Sequence, residues 1–380
     1  MIKLLHTADW QIGKQFGQFE ADDAALLADA RFTVVERLAS LATSQGVHAI
    51  LVAGDVFDAQ GVADKTIHRL FNCLAAFKGP WVLIPGNHDA ALAESVWSRA
   101  MRLNAVPANA HLCLTPEPLV LPSVGLALLP APLTQRHTHT DLTEWFASAT
   151  VSADLFRVGI AHGSVQGILA DGIDSSNPIA AGRAEQSGLD YLALGDWHGT
   201  KQVDARTWYS GTPETDRFKA NDSGQALVVV LPERGALPVV TAVATGQYRW
   251  QQNEVDLQVP SDVEALLHRL AGLTVNDVVD LRLSGRSDLA GQRRLLEAIG
   301  QARGRARSLL ADLSQLRFEP TAEDIAALKA DGYLGEVVAE LRAAQTGPAA
   351  EAADVARDAL ALLAGILDER RVTTGAGAVS

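Results

Sequence analysis

The segment AILVAGDVFD (residues 49–58) runs five apolar residues into a glycine and two aspartates, Asp55 and Asp58. An apolar run without polar alternation is the pattern of a strand covered on both faces. Gly54 frees the backbone to turn sharply, so that the next carboxylate can point beyond the strand end. Read alone, the same residues could also cap a helix and place an acid in its first turn. Four further segments end in the same way: HTADWQIG (6–13), WVLIPGNHD (81–89), VGIAHG (158–163) and YLALGDWHG (191–199). Polar clusters placed directly after buried strands are where open α/β sheets form their ligand crevice.

The residue types at these ends are carboxylates, an amide and imidazoles. Singly, Asp9 reads as a turn residue, and His162 and His198 as structural histidines. Gly-Asn-His-Asp at 86–89 is rarer, setting amide, imidazole and carboxylate in direct succession. Together the five ends suit two divalent ions, roughly 3.5–4 Å apart, that share a carboxylate and a hydroxide and clamp a phosphate. Imidazole favours Mn, Fe or Zn, while carboxylate and amide oxygens favour harder ions. A histidine set close to the ions but not on them can protonate a leaving oxygen.

Periodicity extends the α/β pattern over about 230 residues. Strands are predicted at 2–7, 48–53, 81–85, 118–121, 124–129, 156–161, 191–194 and 226–231, with helices at 22–45, 63–77 and 95–103. Near 240–251 the pattern changes to a small α+β unit, with strands 247–257, 277–284 and 306–313 and helices 261–271 and 290–301. The tail predicts a helix over 321–344, interrupted near Gly332 and Gly335. A second helix is expected over 350–370, with Val355, Ala359, Leu362, Leu363, Ile366 and Leu367 on one apolar stripe. Residues 373–380 read as disordered. The domain boundaries expected are 1–240, 245–317 and 320–371.

The 380 residues carry a formal charge of −13, which excludes a chain that coats nucleic acid or anionic membrane through its overall field. Cys73 and Cys113 have no C-x-x-C spacing and read as small hydrophobes of a reducing compartment. No run approaches the roughly 20 apolar residues of a membrane span, and no targeting segment opens the chain. A cytoplasmic protein is expected.

The order D-x-Q, GDxxD, GNHD, H, GDxH resembles that of the calcineurin-like metallophosphoesterases, whose pattern reads DxH, GDxxD, GNHD, H, GHxH. HTADW, GIAHG and Tyr209-Ser-Gly-Thr-Pro-Glu-Thr-Asp-Arg-Phe218 are similar to the SbcD branch, nuclease subunits that work with an SbcC-type ATPase. The resemblance covers residues 1–235 and implies a four-layer α/β/β/α metallophosphoesterase sandwich, followed by a small α+β capping domain and a helical C-terminal tail. It implies one ion on Asp9, Gln11, Asp55 and His198, and a second on Asp55, Asn87, His162 and Asp196. His88 becomes the leaving-group acid, while Asp58 and Asp89 orient the ligands. Two positions depart from the family pattern: Gln11 and Asp196 stand where it has histidines, so each ion exchanges an imidazole for an oxygen donor. With Asp9 and Asp55 as the only anions, two divalent ions and a hydroxide carry a formal charge of +1; Asp196 lowers it to 0. That change favours Mn2+, or Mg2+, over Zn2+.

Between residues 282 and 317 eight arginines face three acids, Asp288, Glu297 and Asp312, which offers phosphate contacts or a solvated helix face. Trp10, Trp197 and Trp208 flank the site segments, where they either pack at strand ends or stack on a base. The chain holds no G-x-x-x-x-G-K-[ST], so ATP dependence must come from a separate protein. The expectation is a metal-dependent DNA exonuclease, with endonuclease action open, whose partners are DNA, an SbcC-like coiled-coil ATPase and a possible second copy. A small-molecule phosphodiesterase or phosphatase is one alternative. A DNA-binding scaffold subunit with weak metal chemistry is the other.

Overall fold

The computed structural model describes residues 1–167, 176–318, 332–345 and 350–376. The chain divides into two compact units, Met1–Arg249 and Trp250–Ser380.

Two six-stranded sheets build the first unit. In one, β1 (Ile2–Thr7), β2 (Ala49–Ala53), β3 (Trp81–Ile84) and β4 (Ala110–Leu112) run parallel. Antiparallel β13 (Gln225–Leu231) and β14 (Val239–Ala244) continue it beyond β1. In the other, β6 (Leu126–Ala131), β7 (Phe156–His162), β10 (Tyr191–Gly195) and β12 (Thr207–Tyr209) are parallel. Antiparallel β5 (Leu119–Leu121) and β11 (Lys201–Gln202) form its edges. A short pair, β8 (Ser164–Val165) and β9 (Pro178–Ile179), stands apart from both.

Alternation along the strands sends neighbouring residues to opposite faces. Leu4, Leu51 and Ala53 meet Leu128, Val158, Ile160 and Ala193 between the sheets. Leu5, Ile50 and Val52 turn outward and share a core with helices α1 (Ala21–Ser44), α2 (Asp64–Cys73) and α3 (Val96–Arg102). On the far face of the second sheet, Ala161, Leu192 and Leu194 pack with Phe146, Ala184 and Leu189. The order is therefore the expected α/β/β/α. The outer layer over the second sheet is thin, holding the four-residue α4 (Arg183–Gln186) and a 3-10 turn at Glu144–Ala147.

In the second unit, β15 (Arg249–Leu257), β16 (Asp277–Ser287) and β17 (Ser308–Phe318) form a three-stranded sheet. Its strands share a core with α5 (Pro260–Ala271) and α6 (Leu289–Arg305) through Val263, Leu266, Leu281, Leu295 and Ile299. Two tail helices, α7 (Tyr333–Gln345) and α8 (Ala350–Ala376), pack through Val338 and Leu360.

Three tail expectations need correction. Gly335 lies in the first turn of helix α7, which begins at Tyr333 directly after Gly332 (φ 63°), so Gly335 does not interrupt it; residues 319–331 lie outside the described ones. Helix α8 continues to Ala376 into the stretch read as disordered, of which 377–380 are outside the described residues. The apolar stripe expected on it does not form its buried face: Ala353, Ala356, Leu360 and Ala364 are buried, whereas Val355, Leu362 and Ile366 are exposed. Leu363 of that stripe packs beside Leu360 against α7, while Val355, Leu362 and Ile366 turn outward. No helix among the described residues is long and apolar enough to cross a membrane.

Candidate metal centre

Loops following β1, β2 and β3 leave the same end of the first sheet and are laced together by their backbones. Asp9 N donates to Gly54 O at 3.0 Å, Gln11 N to Asp55 O at 3.0 Å, and Asp58 N to Ile12 O at 3.0 Å. Asp89 joins the third loop to the second, accepting from Gly86 N at 2.6 Å and Phe57 N at 3.0 Å. The second sheet delivers its loops to the same place: His162 ends β7, and Asp196 follows β10.

Donor atoms of Asp9, Asp55 and His162 lie within 4.8 Å of one another, all buried. His162 Nε2 is 3.6 Å from both Asp55 Oδ1 and Asp196 Oδ1. Its Nδ1 lies 2.8 Å from Ala53 O. A carbonyl only accepts, so Nδ1 carries a proton and Nε2 is the nitrogen turned to the carboxylates, the arrangement of an imidazole that binds a metal once Nε2 gives up its own proton. The Asn87 side-chain atom turned to the cluster is 2.9 Å from His162 Nε2 and 3.1 Å from both Asp55 oxygens. As an amide nitrogen it donates to them; as an oxygen it completes a ring of acceptors that needs a cation at its centre.

Asp9, Gln11, Asp55 and Asp196 all adopt positive φ, from 50° to 100°, four of the seven non-glycine residues that do so among the described residues. Each such residue costs roughly 1–3 kcal/mol and persists where surrounding contacts over-determine it. Glycine is required at two contacts. A Cβ on Gly54 would strike the His162 ring, and one on Gly86 would strike the Asp55 carboxylate.

Electrostatics mark the same place. Burial, with the neighbouring carboxylates Asp55 and Asp196 adding to it, raises Asp9 to about 6 despite His198 and His162. Burial and then Asp55 raise Asp89 to about 7. For His162 burial acts downward, yet Asp55, Asp196 and Asp9 together hold it up at about 9. Anionic oxygens are crowded here beyond what the protein's own cations balance, so the donor set fits divalent ions in charge and in atom type.

The other expected residues are less uniform. Gln11 turns its amide nitrogen to the cluster, donating to Asp55 Oδ2 at 2.8 Å. His198 stands beside Asp216, with Nδ1 3.3 Å from Oδ1, and Arg217 Nη2 lies 2.9 and 3.2 Å from its ring nitrogens. An ion held by His198 has to displace that guanidinium. His88 Nδ1 is 2.8 Å from the backbone carbonyl of Asp58, leaving Nε2 half-exposed and 3.9 Å from Asp55 Oδ2. The carbonyl of Asp58, not its carboxylate, makes that contact.

Three supports have no signal in the strand-end motifs. Arg31, fully buried on α1, donates to the carbonyls of Asp9 (3.0 Å), Trp10 and Glu214 (2.9 Å) and to Thr212 Oγ1 at 2.8 Å. Asp216 takes Lys14 at 2.7 Å. Burial pushes the Asp216 carboxyl upward, but His198, Arg31 and Arg217 hold it well below its usual range. Tyr209 Oη donates to Gly163 O at 2.8 Å and accepts from Val165 N at 2.9 Å, fixing the loop after His162. Of the tryptophans, Trp10 is fully buried, donating to Thr7 Oγ1 at 3.0 Å, and cannot stack on a base. Trp208 packs against the inter-sheet core. Trp197 is half-buried, with Lys219 Nζ 4.6 Å from its ring centroid.

A family model described as Calcineurin-like phosphoesterase matches residues 2–229, which include every donor above and all strands of the two sheets except the edge strand β14. The chain belongs to the calcineurin-like phosphoesterase family. The SbcD component of the SbcCD nuclease from Rhodobacter capsulatus is 36% identical over 97 residues, covering 24% of this phosphoesterase and 22% of the relative. The protein of the same description from Staphylococcus epidermidis is 26% identical over 223 residues, covering 52% and 57%. The phosphoesterase thus spans less than two thirds of either relative's length. A solved structure, TT1561 of Thermus thermophilus, aligns over 64% of this chain and 99% of its own, with a TM-score of 0.40 and 12% identity.

Proposed function

We propose that this phosphoesterase is a cytoplasmic, metal-dependent DNA phosphodiesterase, an exonuclease with endonuclease action left open, serving DNA repair beside an SbcC-like ATPase. The observation that carries the reading is the convergence of Asp9, Asp55, Asn87, His162 and Asp196 at the ends of two sheets. The curated relatives, both described as nuclease subunits, direct it to DNA.

Asp9, Asp55, Asn87, His162 and Asp196 are the residues that would hold two divalent ions, with Gln11 and His198 at the rim. When bound, such ions supply an activated water and neutralise phosphate charge. His88 is placed to give a proton to the leaving oxygen from Nε2, with Nδ1–H anchored on Asp58 O. Asp89 keeps the loop carrying Asn87 and His88 in register with that of Asp55. The three carboxylates Asp9, Asp55 and Asp196 favour Mn2+ or Mg2+.

Two features support the partners. Val355, Leu362 and Ile366 form an exposed apolar line on α8, suited to docking on a coiled coil. The arginines of residues 282–317 support DNA less than their number suggests. Arg294 pairs with Glu264 and Arg282 with Asp280, acids outside the counted stretch that the fold brings alongside.

The test is hydrolysis of single- and double-stranded DNA across a metal series. Mn2+ should serve best, and His88→Ala should lose about 10²–10⁴-fold in rate at unchanged thermal stability. Zn2+ clearly best with Mn2+ inert would overturn the metal assignment. Rapid cleavage of small phosphodiesters with DNA untouched would overturn the substrate.

A further inference from the structure

Parallel strands have two ends, and the second sheet carries charge at both. Asp196 and His162 lie at the carboxyl ends of β10 and β7. At the opposite ends, Arg157 sits at the start of β7, Asp190 just before β10 and Arg206 just before β12. These strands are neighbours, so the three residues line up across the sheet edge. Five residues separate Arg157 from His162, about 16 Å of strand.

A cleft of about 400 Å³ opens at that edge, and Arg157, Arg206 and Arg234 all line it. None of the three forms an ion pair with a carboxylate among the described residues. Arg157 donates to the carbonyls of Ala149 (2.9 Å) and Phe146, and its buried Nε has no partner. Arg206 donates to the carbonyls of Asp190 (3.3 Å), Ala236 (2.8 Å) and Gly235. Arg234 is exposed, close enough to Asp154 to lower that carboxyl's pKa.

Two acids, Asp190 and Glu185, also line the cleft. The Asp190 carboxylate is already taken by backbone amides, Arg157 N at 2.8 Å and Gly235 N at 2.7 Å. With Asp154 beside Arg234, acids and guanidiniums balance in number, but Arg157 and Arg206 give their donors to carbonyls and pair with no carboxylate among the described residues. Burial pulls the Arg157 pKa down, and no acid offsets it. Carbonyl partners orient the guanidinium planes without neutralising them, and an oriented fork matches the oxygens of a phosphate. Val151, Leu155 and Leu189 supply apolar wall beside these forks, in a volume within the usual range of small-ligand sites.

We propose that this cleft is a second, metal-independent anion site, binding a phosphate-bearing ligand of mononucleotide size. The assignment stands apart from the reading of the metal centre, and its test removes the metals. Calorimetry on the full chain in EDTA, with deoxyadenosine monophosphate, deoxyadenosine and inorganic phosphate as probes, should show binding of the monophosphate and none of the nucleoside. Phosphate binding as tightly as the monophosphate would identify the phosphoryl group alone as the ligand. Arg234→Glu should weaken binding by about tenfold or more, as should Arg206→Lys, which keeps the charge and loses the fork. His162→Ala should bind as the unmodified chain does. No binding in EDTA would overturn the proposal. So would an Arg234→Glu chain that binds within about twofold of the unmodified one, or binding that is lost with His162.

Discussion

Arg31 is the residue on which the metal loops rest. Its guanidinium is fully buried and bonded to three carbonyls and a hydroxyl, and no carboxylate among the described residues accepts from it directly. Arg31→Met keeps the apolar stem but leaves the carbonyls of Asp9 and Trp10 unpaired, while Glu214 O and Thr212 Oγ1 keep only each other. A loss of about 3–5 kcal/mol is expected in denaturant unfolding, comparable to breaking a buried charged network. A change below about 1 kcal/mol would show that water replaces the fork. Gln11 is the opposite case, a residue whose replacement should improve the site. It offers an amide N–H to Asp55 where the family pattern has an imidazole. Gln11→His should tighten metal binding by about tenfold or more in titration against a fluorescent chelator. Equal affinity would mean that the position does not reach the ion.

Strand β1 is joined to β10 across the inter-sheet core by His6. Its Nε2 lies 3.1 Å from Leu194 O and must donate, so Nδ1, 2.9 Å from Tyr191 Oη, accepts from the phenol. The ring is therefore neutral, and burial lowers its pKa from 6.5 to about 3. The unfolded chain takes up this proton first, so stability is complete above pH 6.5 and falls as pH drops towards 3. The slope approaches about 1.4 kcal/mol per pH unit. His6→Gln should flatten the acid limb of a stability-versus-pH curve relative to the unmodified chain; an identical slope would exclude His6 as its source. His6 also shows where sequence reading stops. The apolar runs of β1, β2, β3, β7 and β10 and their polar ends were legible because burial on both faces suppresses alternation. A histidine inside such a run gives no sign of the strand it will meet 185 residues later. Arg31 was hidden for the same reason, lying on an amphipathic helix whose period explains only its apolar face. Strands β4, β8, β9, β11 and β12 were missed because two or three residues carry no period, and β14 because it lies mostly exposed at the sheet edge.

At the scale of the whole molecule, the candidate metal donors and the proposed docking helices belong to separate units. The donors all fall within Met1–Arg249, and the tail helices within Trp250–Ser380. Deleting residues 321–380 should leave metal binding and basal hydrolysis within about twofold, since no donor is removed. The same deletion should abolish capture of an SbcC-like ATPase in a pull-down. Full complex formation by the truncated chain would move the docking surface elsewhere.

The two-sheet construction has one more consequence. Asp9, Asp55 and Asn87 come from the first sheet, His162 and Asp196 from the second. The metal centre is therefore a seam, and its width is set by the apolar layer between the sheets, where Leu51 and Ile160 lie. Facing sheets stand about 10 Å apart, and one methylene more or less in such a layer is felt as a shift in spacing. The hydrophobic core thus acts as a gauge block for the spacing of the candidate donors across the seam. Substitutions at Leu51 or Ile160 should therefore change metal preference while leaving every candidate donor in place.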